Sequence, residues 1–244
     1  MKKISFGNRS KNGKKTGKKG KKLLLLLLIL LAVILGLYAA VRMKAEKAGI
    51  IRPVYRVFGD NHAKNEEFYK KLRDMSKYTN FINSVPISEK DSEEQGYLEF
   101  VVKFFILRYS KFDVSDSENY NNFLTDEILE LINKNNIDFE EEKDIFQKTF
   151  DLLYEVMDEN AFKKYDKEKN KSYGPVLVGA YEAIIPGLTA NIDYYQENTE
   201  ELSEVIKQVY SSDGYLAAIK RGVRPVGRIK RLAEFSKEIF LRGE

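Results

Sequence analysis

The sequence contains no cysteine and no tryptophan, and its only histidine is His62. Without cysteine there are no disulfides, no zinc-thiolate sites and no thiol nucleophiles. A single histidine excludes zinc sites with two histidines and relays of several histidines, and we expect no catalytic triad. We interpret His62, which lies in a polar run, as a solvated surface residue. The sequence therefore offers no candidate catalytic residue, no metal ligands and no cofactor site, and we expect no catalysis.

Acidic side chains cluster in three places, and none of them has the spacing of a metal site. Residues 166–170 begin like a calcium loop, but Lys171 stands where that loop needs glycine and Leu177 where it needs a bidentate glutamate. The acids of residues 140–142 and 113–118 are predicted to be solvated helix starts, where carboxylates favour the helix dipole.

Charge is distributed unevenly along the chain. Residues 1–22 hold ten lysines and arginines and no acid, residues 220–244 hold eight bases and three acids, and the part between them is acidic. The first segment has almost nothing apolar to bury, so it is predicted to be a disordered basic tail. Its lysines suit anionic lipid headgroups, which attract each base with about 1 kcal/mol.

One long apolar run, residues 23–41, contains no charged side chain. A helix of this length rises about 28 Å, close to the roughly 30 Å hydrocarbon core of a bilayer. We predict a single transmembrane helix over 23–41 and a juxtamembrane linker over 42–61. Cleavage as a signal peptide is the alternative, but a cut near Ala39 or Ala40 lacks the small residue wanted upstream, which favours an uncleaved anchor.

The orientation of this span follows from its flanking bases. Ten precede it and five follow it within residues 42–56. The flank with more bases tends to stay in the cytoplasm. The tail is therefore predicted to be cytoplasmic and the remaining chain extracytoplasmic. A cytoplasmic domain is the alternative.

Residues 62–244 are predicted to form one α-helical domain, because apolar residues recur there at helical spacing and no alternating run competes with them. The fold class is all-α: one transmembrane helix and then a helical bundle. Predicted helices cover 65–77, 93–112, 122–133, 140–158, 176–192, 200–210, 214–220 and 225–242. The helix over 93–112 is apolar on nearly all sides and should lie centrally. Pro175 should open its helix, and Pro186 should kink or end it. The predicted core contains Phe100, Val101, Phe104, Phe105, Phe150, Leu153, Ile184 and Val205.

A group of bases marks the last helix and the turn before it. Arg224, Arg228 and Arg231 are spaced to share a helix face, and Lys220 and Arg221 precede them. Such a strip suits phosphates of a nucleic acid, anionic lipid or acidic groups of a partner, and it equally suits an ordinary solvated face. These five residues are the candidate anion or nucleic-acid face.

Three short motifs follow one another in the second half of the domain: Asn160-Ala-Phe-Lys-Lys-Tyr-Asp166, then Gly174-Pro175, then Ala180-Tyr-Glu-Ala183. Together they resemble the C-terminal helical half of the bacterial family called domain of unknown function 262, whose relatives include Gmr-type modification-dependent restriction enzymes. Weaker likeness extends upstream through residues 68–72, 96–108 and 123–124. Residues 222–231 resemble the family's basic terminal helix, so the resemblance covers roughly 62–244.

The resemblance implies an all-α domain associated with restriction systems, but not a catalytic site. Members of the family ordinarily carry a preceding ParB/sulfiredoxin-like domain with an Asp-Gly-Gln-Gln-Arg-type motif, and no such segment occurs in this sequence. We therefore expect a membrane-anchored, non-catalytic helical interaction domain with an unidentified protein partner. The alternative is an accessory nucleic-acid-binding subunit of a bacterial defence system.

Overall fold

The structure is a computed structural model that describes residues 64–93, 95–133 and 137–241. The predicted basic tail, the transmembrane helix, the linker and His62 lie outside the described residues. Among the described helices, none has both the length and the apolar character needed to cross a bilayer.

The described part of the chain is mostly helical, which confirms the predicted all-α class. It contains eleven α-helices, one short 3₁₀ helix and one antiparallel β-hairpin. The helices are α1 (Lys64–Met75), α2 (Thr79–Ser84), α3 (Glu89–Glu93), α4 (Gly96–Tyr109), α5 (Tyr120–Asn133), α6 (Phe139–Met157), α7 (Val178–Ala190), α8 (Ile192–Glu197), α9 (Thr199–Val209), α10 (Asp213–Ala218) and α11 (Pro225–Ile239). The 3₁₀ helix η1 (Asp158–Asn160) and the strands β1 (Lys164–Asp166) and β2 (Lys171–Tyr173) lie between α6 and α7.

Helix α4 lies at the centre of the fold, as its apolar sequence predicts. Ten of its fourteen residues are buried. Phe104 packs edge-on against Phe146 of α6, with ring centroids 5.1 Å apart. The predicted core is confirmed, since all eight of its residues are buried: Phe100, Val101, Phe104, Phe105, Phe150, Leu153, Ile184 and Val205. Burial of such side chains is the main force that holds the helices together.

Helices α7 and α11 pack closely because small residues lie between them. A Cβ on Gly187 would stand 2.6 Å from the Cβ of Phe240, so only glycine fits there. The backbone N–H of Gly187 donates to the Ser236 hydroxyl at 2.8 Å, and Asn191 donates to the Gly187 carbonyl. Pro186 does not end α7, which continues to Ala190. These side-chain bonds satisfy backbone groups around the proline, and the helix therefore tolerates it.

The chain between α6 and α7 forms a tight corner that the sequence patterns did not predict. Strands β1 and β2 pair with Tyr165 opposite Ser172, so the segment that resembles a calcium loop is a hairpin turn. Pro175 is not the first residue of α7, because the helix begins at Val178. The Leu177 N–H donates to the Phe162 carbonyl at 2.8 Å, which holds the chain extended before the helix starts. The predicted start of this helix was therefore too early.

Three short helices, α2, α3 and α8, were not predicted from the spacing of apolar residues. Helix α2 and helix α3 each span six residues or fewer, and α8 is separated from α7 by Asn191, whose φ of −127° is not helical. Periodicity over an 11–18-residue window cannot resolve elements of this length.

Candidate functional site

The five predicted basic residues do not form one free face. Lys220 and Arg221 are exposed in the turn before α11. Arg224 precedes the first residue of α11 and donates to the Ser117 carbonyl at 3.2 Å. Arg231 lies 3.2 Å from the Asp116 carboxylate. The loop before α5 thus contacts two of the three arginines.

The third arginine, Arg228, belongs to the interior. Its guanidinium donates two hydrogen bonds to Glu182 of α7, at 2.8 and 3.0 Å. Glu182 is fully buried, whereas about a quarter of the Arg228 side chain stays exposed. A planar guanidinium matches a carboxylate in this two-point geometry, which fixes orientation as well as charge. Arg228 is therefore not offered to an external anion in this structure.

This ion pair is part of a larger cluster, the polar junction. It consists of Glu99 and Lys103 of α4, Tyr120 of α5, Glu182 of α7, Tyr215 of α10 and Arg228 of α11. Lys103 is almost entirely buried and forms an ion pair with Glu99 one turn earlier. Its ammonium also lies 5.7 Å from the centre of the Tyr120 ring. Side chains of five helices are therefore near enough to shift one another's pKa values.

The pKa values at the junction reflect burial opposed or reinforced by charge. Burial lowers the pKa of Lys103, but Tyr120, Glu99 and Glu182 outweigh it, and the pKa ends above its usual value. Burial raises the pKa of Tyr120, and Glu182 and Glu99 act in the same direction, against Lys103 and Arg228. Burial and Glu182 raise the pKa of Tyr215 to about 12, against Arg228. Lys103 is thus cationic and both phenols are neutral at neutral pH.

The junction is balanced in charge. Its two carboxylates face two cations, one pair on α4 and one pair between α7 and α11. The Tyr120 hydroxyl is buried and has no hydrogen-bond partner among the described residues. Buried ion pairs contribute little net stability, but removing one partner is costly. Such an arrangement is suited to fixing the relative positions of helices.

Two predictions about acid clusters need correction. Glu142 is not solvated: it is buried and accepts two hydrogen bonds from Arg108, both at 2.7 Å, and one from Tyr109 at 2.9 Å. Asp116 does not start a helix, because α5 begins at Tyr120. Its carboxylate instead meets Lys230 and Arg231. Sequence spacing could not reveal these pairs, whose partners are 34 and about 115 residues away.

Two of the three motifs on which the predicted family resemblance rests contact each other in the structure. The Phe162 ring lies 5.1 Å from the Tyr181 ring, and the neighbouring Glu182 holds Arg228. The Tyr181 hydroxyl donates to the Phe100 carbonyl of α4 at 3.0 Å. The first and third motif segments therefore pack against each other and against the central helix, whereas Gly174 and Pro175 are exposed.

Comparisons with protein-family models, with curated proteins and with solved structures find no match to this chain. The resemblance to the family of domain of unknown function 262 therefore stays a prediction.

Proposed function

We propose that this chain is a membrane-anchored helical interaction domain without catalysis of its own, related to the C-terminal half of the family of domain of unknown function 262. The observation that supports it best is the pairing at the polar junction. Its buried charges are paired with each other, Lys103 with Glu99 within α4 and Arg228 with Glu182 between α11 and α7, and so act on the scaffold and not on a substrate.

The pKa directions add to this proposal. A general acid or base works best when its pKa lies near the working pH. The pKa values of Lys103, Tyr120 and Tyr215 are all raised further from neutrality than their usual values. Proton transfer at neutral pH by these groups is therefore unfavourable, and pinning of helices is the role that their charges support.

Residues 23–41 serve in this proposal as the uncleaved membrane anchor. The ten bases before them keep the tail in the cytoplasm and place the helical domain outside it. A reporter fused after Glu244 that works only in one compartment tests the orientation. Activity confined to the cytoplasm would reverse it.

The functional test uses the full chain, purified in detergent. We expect no hydrolysis of nucleotides, DNA or RNA above the level of a mock preparation. Turnover that disappears on Lys103→Met or Tyr120→Phe, while the far-UV circular dichroism spectrum is unchanged, would contradict the proposal. Extraction of membranes with alkaline carbonate tests the anchor, because an integral protein stays with the lipid.

A nucleic-acid-binding accessory subunit is the second candidate, and one observation favours it. Six bases and no acid occupy residues 214–233, and Lys220 and Arg221 among them are exposed. Binding to phosphates should weaken steeply as salt increases. Lys220→Glu with Arg221→Glu should reduce it further, whereas Lys237→Glu, on the last turn of α11, serves as a control. Equal affinity before and after the first change would exclude this candidate.

A further inference from the structure

The end of α10 and the turn that follows it expose apolar side chains beside two basic residues. Leu216 is 47% exposed and Ile219 is 42% exposed, and both are large aliphatic residues. They lie three positions apart, so they share the outer side of this short helical segment. Tyr215 and Ala218 on its other side are buried. The aliphatic pair is therefore exposed, while Tyr215 and Ala218 anchor the opposite side of the same segment in the core.

Two cations follow this pair directly. Lys220 and Arg221 are exposed, and neither forms an ion pair within the described residues. Gly222 follows with a φ of +96°, which turns the chain back toward α11. We name Leu216, Ile219, Lys220 and Arg221 the basic-apolar tip.

The acidic loop before α5 contacts other bases of this region. Asp116 of that loop faces Lys230 and Arg231, and the loop carbonyl of Ser117 accepts from Arg224. The acid closest in sequence, Asp213, stands at the opposite end of α10. The tip therefore combines two exposed aliphatic side chains with two exposed bases.

We propose that the basic-apolar tip docks on the surface of an anionic lipid bilayer. Leucine and isoleucine would enter the boundary between headgroups and acyl chains, and the two cations would meet the phosphates, the pattern of an interfacial contact. This inference rests on the proposed membrane anchor, because a span in the same chain keeps the domain beside the bilayer at high effective concentration. A protein partner with an acidic groove is the competing occupant.

The absence of tryptophan makes a clean test possible. The full chain carrying Ile219→Trp, or in a second variant Leu216→Trp, is reconstituted into vesicles of phosphatidylcholine alone or mixed with phosphatidylglycerol. Tyr194→Trp is the matched control, since Tyr194 is also exposed but bonds to Glu201 in acidic surroundings. Emission maximum and quenching by brominated lipid report whether each tryptophan enters the bilayer.

We expect a blue shift and strong quenching for the two tip variants in the anionic vesicles, and neither for Tyr194→Trp. Adding Lys220→Ala and Arg221→Ala to Ile219→Trp should lower the ratio of docked to undocked protein about 25-fold, about fivefold for each base. High salt should have the same direction of effect, because it screens the attraction.

Emission from the tip variants that matches the control in both kinds of vesicle would overturn the docking inference and leave a protein partner for this surface. Failure of the anchor gives a different result. In that case alkaline carbonate releases the chain from the vesicles whatever the emission of the tryptophan. The two failures are therefore distinguishable in one preparation.

Discussion

Two regions of this domain are held together by opposite means. The aromatic core, formed by Phe81, Phe104, Phe146 and Phe150, contains closely spaced rings, and each ring is fully buried. The polar junction contains buried charges instead, in the pair of Lys103 with Glu99 and the pair of Arg228 with Glu182. The stability of the core depends on the apolar area that is removed from water. The stability of the junction depends on each buried charge having its oppositely charged partner.

The difference determines how each region fails. An apolar core loses stability in proportion to the atoms removed, since each side chain contributes through area and packing. A charge-paired junction loses much when one partner is removed and little when both are replaced. The junction therefore specifies which helix lies against which, whereas the core supplies most of the driving force.

The largest effect is expected in the aromatic core. Phe104→Ala should lower the free energy of unfolding by about 3–5 kcal/mol, because Phe104 is fully buried and packs against Phe146. Urea unfolding followed by circular dichroism measures it. Tyr173→Ala, at an exposed aromatic of the hairpin, is the control and should cost little. A loss below about 1 kcal/mol for Phe104→Ala would show that α4 is not central.

Removing one charge from the junction should come next. Glu182→Ala leaves the Arg228 guanidinium partly buried without its carboxylate, and we expect a cost of about 3 kcal/mol. The double variant Glu182→Leu with Arg228→Leu should recover most of this loss. A double-mutant cycle of Glu182→Leu, Arg228→Leu and the double variant measures the coupling. If the losses in free energy of unfolding of the two single variants add up to that of the double variant, the ion pair does not account for the loss.

Steric contact between α7 and α11 gives a smaller effect. Gly187→Ala should cost about 1–3 kcal/mol, because the added methyl meets the Phe240 Cβ and the Ser236 backbone. Gly179→Ala on the same helix is the matched control. Its nearest neighbour, at 3.3 Å, is the exposed Ile219 side chain, which can move. Thermal unfolding of the two variants should separate them, and equal melting temperatures would contradict the close packing.

The smallest effect at neutral pH is expected for Tyr215→Phe, and its value lies in its pH dependence. The folded pKa of Tyr215 is raised to about 12 from a usual value of 10.0. The folded state thus holds the phenol proton of Tyr215 more tightly than the unfolded state does. The contribution of this group to the free energy of unfolding is therefore complete below pH 10 and disappears as the pH rises from about 10 to 12. Tyr215→Phe should lose less stability over this window than the unmodified chain. Parallel losses, measured by urea unfolding at each pH, would show that Tyr215 contributes nothing.

Much of the fold could be predicted from local sequence. Helical spacing identified the long helices and the buried Phe104, Phe150 and Val205. Apolar residues that recur at this spacing lie together on a helix, and they are stable only when they are buried against other helices. The corner before α7 and the short α2, α3 and α8 were missed. Their conformations depend on single contacts such as the Leu177 N–H to the Phe162 carbonyl, which leave no periodic signal.

By itself, the sequence determined the composition limits, the all-α class and the burial of Phe104 and Phe150, because these depend on residue type and on spacing within one element. Only the tertiary structure decided the fate of each charged residue. Arg228 and Lys220 are both bases near one end of α11, yet Arg228 binds the buried Glu182 whereas Lys220 is exposed beside Ile219. The partner of a charge lies tens of residues away in the chain, and it becomes a neighbour only when the helices pack.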